Sequence, residues 1–197
     1  MDRKLVTGVI LAGGQGRRMG YRNKGLLTCQ GRPLVELVLR RLLPQVSSVL
    51  ISANQDLARY RQLGYPVITD CWGESAGPLA GILTALRCAT TPYLLFCPCD
   101  VPAIPVDLCQ RLARVGPAWK PRVVHDGQRR QAALMLLHKR QLSHLEGALE
   151  QGERGLNRWL NSAQAVDVPF RNQLGDFRNI NDPAELRRYR QQRAPAR

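Results

Sequence analysis

Residues 8–25 read GVILAGGQGRRMGYRNKG. The opening letters belong to an apolar run, residues 5–12, in which Val6, Thr7, Val9 and Ile10 are β-branched, the pattern of a parallel strand buried on both faces. The run then breaks into Gly13-Gly14-Gln15-Gly16. Glycines directly after a buried strand let the backbone turn sharply and bring bare amides against a ligand, which is how proteins cradle phosphates. Arg17, Arg18 and Lys24 follow closely, so the loop is furnished for a polyphosphate.

Two well-known glycine loops fail on specific residues. A Walker A loop requires a hydroxyl after its lysine, and Lys24 is followed by Gly25 and Leu26. The dinucleotide fingerprint requires a third glycine where Met19 stands, and no acidic residue closes a second strand near Ile51. What remains, Leu11-Ala12-Gly13-Gly14 with Gly16, Arg18, Met19 and Lys24, resembles the signature loop of nucleotidyltransferases with a Rossmann-like α/β fold. Those enzymes join a nucleoside monophosphate to an anionic acceptor and release pyrophosphate.

Outward from the loop, apolar strands alternate with helical stripes. Leu34, Leu37, Val38 and Leu42 mark a helix after Pro33, and residues 47–53 form a second buried strand ending at Asn54. A short polar helix over 55–63 leads to a strand over 66–69, with Asp70 directly after it. Pro78 opens a helix carrying Leu79, Ile82, Leu83 and Leu86 on one face, and Gly81 among them permits close approach of a neighbour. The most apolar strand, 93–97, ends in Pro98-Cys99-Asp100. Open α/β sheets bind ligands at the carboxyl ends of their strands, so Asp70 and Asp100 are placed for work. Magnesium takes oxygen ligands and usually only one or two carboxylates, which makes Asp100 the candidate metal ligand.

After the proline-rich turn 101–105 the chain changes character. A helix near 106–115 precedes a hairpin of strands 122–125 and 131–137 around Asp126-Gly127. Two helices follow, marked by Leu142, Leu145 and Leu149 and by Leu156, Trp159 and Leu160; then come a short strand at 166–168 and a last helix begun at Asp182-Pro183. The expected fold is a single-domain, three-layer α/β/α Rossmann-like nucleotidyltransferase fold with a mostly parallel sheet. Its nucleotide-binding half spans 1–105 and its acceptor-binding half 106–190, before a basic tail at 191–197.

The 197 residues suit one well-packed domain, and nothing in them reaches membrane-spanning hydrophobic length. The start, Met1-Asp2-Arg3-Lys4, carries no leader pattern, so the expected location is cytoplasmic, with no membrane partner. The net charge is +14, and the stretch 187–197 alone holds five arginines without an acid. A basic field gathers anionic ligands of every kind, so charge leaves a nucleic-acid-binding module as the reading from another class. No recognisable RNA or DNA module supports it, and carboxylates at the strand ends oppose it, so no nucleic acid is expected as a partner. Cys29, Cys71, Cys88, Cys97, Cys99 and Cys109 lack metal-site spacing and read as reduced, mostly buried thiols. His125, His138 and His144 read as packing or surface residues.

Taken in order, GVILAGGQGRRMG with Lys24, then Asp70, Gly77-Pro78-Leu79-Ala80-Gly81, Cys97-Pro98-Cys99-Asp100-Val101-Pro102 and Asn179-Ile180-Asn181-Asp182-Pro183 resemble the molybdenum cofactor guanylyltransferases of the MobA type. The resemblance covers nearly the whole chain. It implies transfer of GMP from GTP to the phosphate of molybdenum-bearing molybdopterin, with magnesium, giving the guanine dinucleotide form and pyrophosphate. It implies that Leu11, Ala12 and Gly13 hold the nucleotide through their backbone, with Ser52 and Asp70 also at the nucleotide. Lys24 meets the phosphates with Arg18 beside it, Asp100 binds the nucleotide through Mg2+, and Asn179 and Asn181 serve the acceptor. An acceptor that is unstable when free further implies cofactor-donor proteins and apo-molybdoenzyme recipients. Two departures stand out: Ser52 where the family often has asparagine, with Asn54 two residues on, and Ala132 where it usually has proline. Spacing does not choose the base, so a molybdenum cofactor cytidylyltransferase or a sugar-phosphate nucleotidyltransferase is the alternative within this class.

Overall fold

A computed structural model of the chain describes residues 1–14, 23–72, 77–170 and 177–192. The apolar run before the glycine loop is β1 (Val6–Leu11), and the first five of its six residues are buried. A tight hairpin, β2 (Thr28–Cys29) and β3 (Arg32–Pro33), leads into α1 (Leu34–Leu42), whose Leu34, Val35, Val38, Leu39 and Leu42 are buried at helical spacing. Next come β4 (Ser48–Ser52), the short α2 (Leu57–Arg61) and β5 (Val67–Ile68). α3 (Pro78–Cys88) then buries every residue from Leu79 to Leu86, so it is an interior helix and not a surface one. β6 (Tyr93–Pro98) completes the parallel set, pairing with β1 as β1 pairs with β4 and β4 with β5.

The second half adds α4 (Leu108–Ala113), β7 (Arg122–His125), β8 (Arg130–His138), α5 (Gln141–Glu150), α6 (Leu156–Ser162), β9 (Val166–Pro169) and α7 (Pro183–Gln192). The described strands make one seven-stranded sheet in the order β5-β4-β1-β6-β8-β7-β9. Only β8 runs against its neighbours, antiparallel to both β6 and β7, while β9 pairs parallel with β7. Side chains of α1, α4 and Tyr60 of α2 build the core on one face, and α3, α5 and α6 with Trp159 build the other. This is the three-layer α/β/α arrangement with a mostly parallel sheet that the alternation of strands and helical stripes predicted.

The hairpin of β7 and β8 carries an irregularity that the sequence did not announce. Val123 pairs with Met135 but Val124 pairs with Gln131, so residues 132–134 bulge out of the ladder. Ala132, standing where the family usually has proline, lies in this bulge. A proline is tolerated where ladder pairing is interrupted, so the exchange leaves the hairpin intact. β8 pairs with β6 only as far as Phe96, leaving Cys97 and Pro98 to β1, and the chain runs from there to Asp100.

Candidate active site

Four parallel strands, β5, β4, β1 and β6, present their carboxyl ends along one edge, and the sheet's own hydrogen bonds fix where each loop departs. Ala12 N–H donates to the Ser52 carbonyl at 2.7 Å, Ala53 N–H to Ile68 at 3.0 Å, and Cys99 N–H to Leu11 at 3.0 Å. The loops therefore leave side by side. Leu11, Gly13, Ser52, Asn54, Asp70 and Gly81 are among the residues that line a cleft of about 710 Å³ there. That volume lies within the range of pockets that enclose a small organic ligand.

Gly81 explains why α3 reaches this edge. A Cβ added at Gly81 would sit 2.6 Å from Ser52 Oγ and 3.2 Å from Asp70 Oδ1, so only hydrogen lets helix, hydroxyl and carboxylate share the space. Ser52 is 2 % exposed and supplies the floor of the cleft. Asn54, on the loop above it, is spent on Asp70: Asn54 Nδ2 donates to Asp70 Oδ2 at 2.8 Å, and the Asp70 N–H donates to Asn54 Oδ1 at 3.0 Å. The sequence had placed Asp70 at a strand end but had not paired it with Asn54. The two residues belong to loops after different strands, and only the sheet order brings them together.

Beyond the cleft, Asp100 follows β6 and is 7 % exposed. Lys24 Nζ donates to Asp100 Oδ2 at 3.2 Å and to Asn181 Oδ1 at 2.6 Å. Burial pushes the Asp100 carboxyl above its ordinary value, and the Lys24 ammonium works in the opposite direction. The segment bearing Asn181 is tied to the same place by Ile180 N–H, which donates to the Asp100 carbonyl at 2.9 Å. Asp182 caps α7 by accepting from Glu185 N–H at 2.8 Å, and Glu185 returns to accept from Asn181 N–H at 2.6 Å. Because the aspartate does the capping, the Asn181 side chain is left to face Lys24. Asn179 is half-buried on the same segment.

Lys24 itself is held from below. Tyr60 Oη donates to Asn23 Oδ1 at 2.6 Å, and Asn23 Nδ2 donates to Asp56 Oδ2 at 3.2 Å, which pins the residue before Lys24 to α2 and its approach. A Cβ at Gly25 would meet the Tyr60 hydroxyl at 2.5 Å and Cys99 Cβ at 3.1 Å. Gly25 thus lets the lysine-bearing turn press against both. Burial holds the Tyr60 phenol far above its ordinary pKa, so it stays a neutral donor. Tyr60 carried no signal in the sequence, because its role depends on the missing side chain at Gly25.

A metal here finds one buried carboxylate, Asp100, at a strand end. Among the described residues no group of three or more histidines, cysteines, aspartates or glutamates gathers into a closed site. A single hard oxygen donor fits Mg2+, which commonly takes one carboxylate with its substrate's phosphates, and does not fit a structural zinc.

The remaining expectations divide plainly. Leu11 and Gly13 line the cleft. Ala12, between them, is 4 % exposed with its N–H committed to the Ser52 carbonyl. Arg18, with Gly16, Arg17 and Met19, lies outside the described residues. None of the six cysteines forms a disulfide; Cys29, Cys97, Cys99 and Cys109 are buried and Cys71 and Cys88 exposed. His144 accepts from Trp159 Nε1 at 3.1 Å, and His125 and His138 accept backbone N–H groups of Gly127 and Arg140, so all three histidines have local partners. Among the described residues no helix is long and apolar enough to cross a membrane.

Residues 8–168 match the MobA-like NTP transferase domain. Over 188 residues the chain is 40% identical to a molybdenum cofactor guanylyltransferase of Serratia proteamaculans, covering 95% of each protein. It is 39% identical to a molybdenum cofactor guanylyltransferase of Yersinia pseudotuberculosis, covering 95% of this chain and 96% of the relative. Its fold is similar to the crystal structure of molybdopterin-guanine dinucleotide biosynthesis protein A from Archaeoglobus fulgidus, with a TM-score of 0.76 and 24% identity over 94% of this chain and 97% of that one. At that identity the likeness speaks for the fold alone.

Proposed function

Because the chain belongs to the MobA-like NTP transferase family, matched over residues 8–168, we propose that it transfers GMP from GTP to the phosphate of molybdenum-bearing molybdopterin. An acceptor phosphate oxygen attacks the α-phosphorus, the bond from that phosphorus to the bridging oxygen breaks, and pyrophosphate leaves with the electron pair. The observation that carries this reading is the Lys24–Asp100 contact at 3.2 Å, set beside a nucleotide-sized cleft.

The reaction asks for alignment and charge neutralisation more than for covalent help from the protein. Leu11, Gly13 and Gly14 form a wall against which the nucleotide rests, and Asp70 and Ser52 border its nucleoside. Lys24 turns from Asn181 toward the phosphates and neutralises charge on the departing pyrophosphate, with Arg18 in the same role. Asp100 would hold Mg2+, which supplies Lewis-acid stabilisation of the phosphate oxygens. Asn179 and Asn181 orient the acceptor. Six cysteines without a disulfide suit a reducing compartment, the cytoplasm, where donor proteins and apo-molybdoenzymes would meet the enzyme.

Pyrophosphate release from purified protein, GTP, Mg2+ and molybdenum-bearing molybdopterin tests the reading. Release should need all of the components, be faster with GTP than with CTP, and vanish in Asp100→Ala. Preference for CTP, or normal turnover by Asp100→Ala, would overturn it.

A further inference from the structure

The Asn54–Asp70 pair leaves one atom unexplained. Asp70 Oδ2 and the Asp70 N–H are both engaged by Asn54, at 2.8 and 3.0 Å, whereas Asp70 Oδ1 is buried with no hydrogen-bond partner among the described residues. That oxygen lies 3.2 Å from the position a Gly81 Cβ would take, and Asp70 and Gly81 both line the cleft. A carboxylate oxygen buried without a donor is costly, and native proteins seldom keep one without use.

Asn54 is held on a second side. A Cβ at Gly13 would come 3.3 Å from Asn54 Nδ2, so the amide packs against the backbone of the glycine loop as well as bonding to Asp70. One side chain therefore ties together the loops after β1, β4 and β5. Its carbonyl and one of its two amide hydrogens are spent on Asp70. It sets the angle of another residue's carboxylate.

We propose that Asn54 is a positioning residue for nucleotide selection. It clamps Oδ2 of Asp70 so that Oδ1 faces the cleft and accepts a hydrogen bond from a donor on the nucleoside. The donor chemistry is an N–H of the base or a hydroxyl of the ribose. This rests on the guanylyl-transfer reading above.

The test is steady-state GMP transfer by wild type, Asn54→Ala and Asn54→Asp, with GTP, ITP (which lacks the 2-amino group), 2′-deoxyGTP and 3′-deoxyGTP. Wild type should prefer GTP over one of these analogues by about tenfold, the value of one hydrogen bond to a charged group. ITP as the poor substrate identifies the base, and a deoxy analogue the ribose. In Asn54→Ala the KM for GTP should rise by a similar factor with kcat changed less, and the discrimination should collapse toward unity. Asn54→Asp, which faces Asp70 with a second carboxylate, should do the same. A purely structural asparagine would lower the thermal midpoint and weaken all four nucleotides in proportion. Equal use of all four nucleotides by wild type, or full discrimination retained in the variants, overturns the proposal. Failure of the guanylyl-transfer reading looks different: wild type would then transfer no GMP from GTP at all.

Discussion

Lys24 and Asp100, separated by 76 positions in the chain, meet at 3.2 Å at the carboxyl edge of the sheet, and Asn181 closes on the same ammonium at 2.6 Å. The glycine-loop half of the chain is thereby joined to its last helix through one cation. On the proposed reading, removing that cation would take away a phosphate contact, and it strands a buried carboxylate. Lys24→Ala should lower kcat/KM for GTP by roughly 10²–10³-fold, the usual loss for one preorganised charge-stabilising donor. Arginine at 24 should rescue little, since its planar fork does not occupy the place of a point charge. Kinetics on both variants check this, and a loss of less than fivefold in Lys24→Ala would remove Lys24 from the mechanism.

The turn that carries Lys24 depends on a side chain that is absent. Gly25→Ala would drive a Cβ to 2.5 Å from the Tyr60 hydroxyl, at an expected cost of about 1–3 kcal/mol for overpacking. In a Tyr60→Phe background the same substitution should cost distinctly less, because the clashing oxygen is gone. A double-mutant cycle by denaturant unfolding measures the coupling, and simple additivity within about 0.5 kcal/mol would contradict the packing described.

Asn181 belongs to the second half of the chain but touches the lysine of the first. Asn181→Ala should raise the KM for the molybdopterin acceptor several-fold while leaving GTP affinity, read by calorimetric titration, within about twofold of wild type. Equal losses for both substrates would mean that Asn181 acts only by holding Lys24.

The β7–β8 hairpin is organised by Asp126, whose Oδ1 accepts from the backbone of Gln128 and Arg129 at 2.8 Å each and whose Oδ2 accepts from Gln131 Nε2 at 2.6 Å. Burial alone would raise its carboxyl, but the backbone amides and the Gln131 amide together hold it below the ordinary value. A carboxyl lowered in the folded state stabilises the fold above its unfolded pKa, and this is lost as pH falls through the folded one. Asp126→Ala should cost about 1–3 kcal/mol at neutral pH. The gap in thermal midpoint between variant and wild type should narrow in strong acid, and a gap independent of pH would contradict the assignment.

Much of this was legible in the sequence because buried parallel strands must be apolar throughout. β1, β4 and β6 stand out as unbroken runs, and the aspartates after β5 and β6 mark the edge where ligands bind. What was not legible depends on juxtaposition. Asn54 meets Asp70 only because β4 and β5 are neighbours, and Tyr60 supports Lys24 only because Gly25 offers no Cβ. The bulge at 132–134 left no trace in the alternation of β8, and the two-residue strands β2 and β3 are too short to have a period. Which residue caps the last helix was not legible either, and the structure gives that role to Asp182 with Glu185.

The most direct test of guanylyl transfer follows the label in GTP carrying it on the α-phosphate or, separately, on the γ-phosphate, incubated with the protein, Mg2+ and molybdenum-bearing molybdopterin. The account predicts that α-label enters the pterin product as a guanine dinucleotide and that γ-label is recovered only in pyrophosphate. Entry of γ-label into the acceptor, or retention of α-label in free nucleotide, would contradict it.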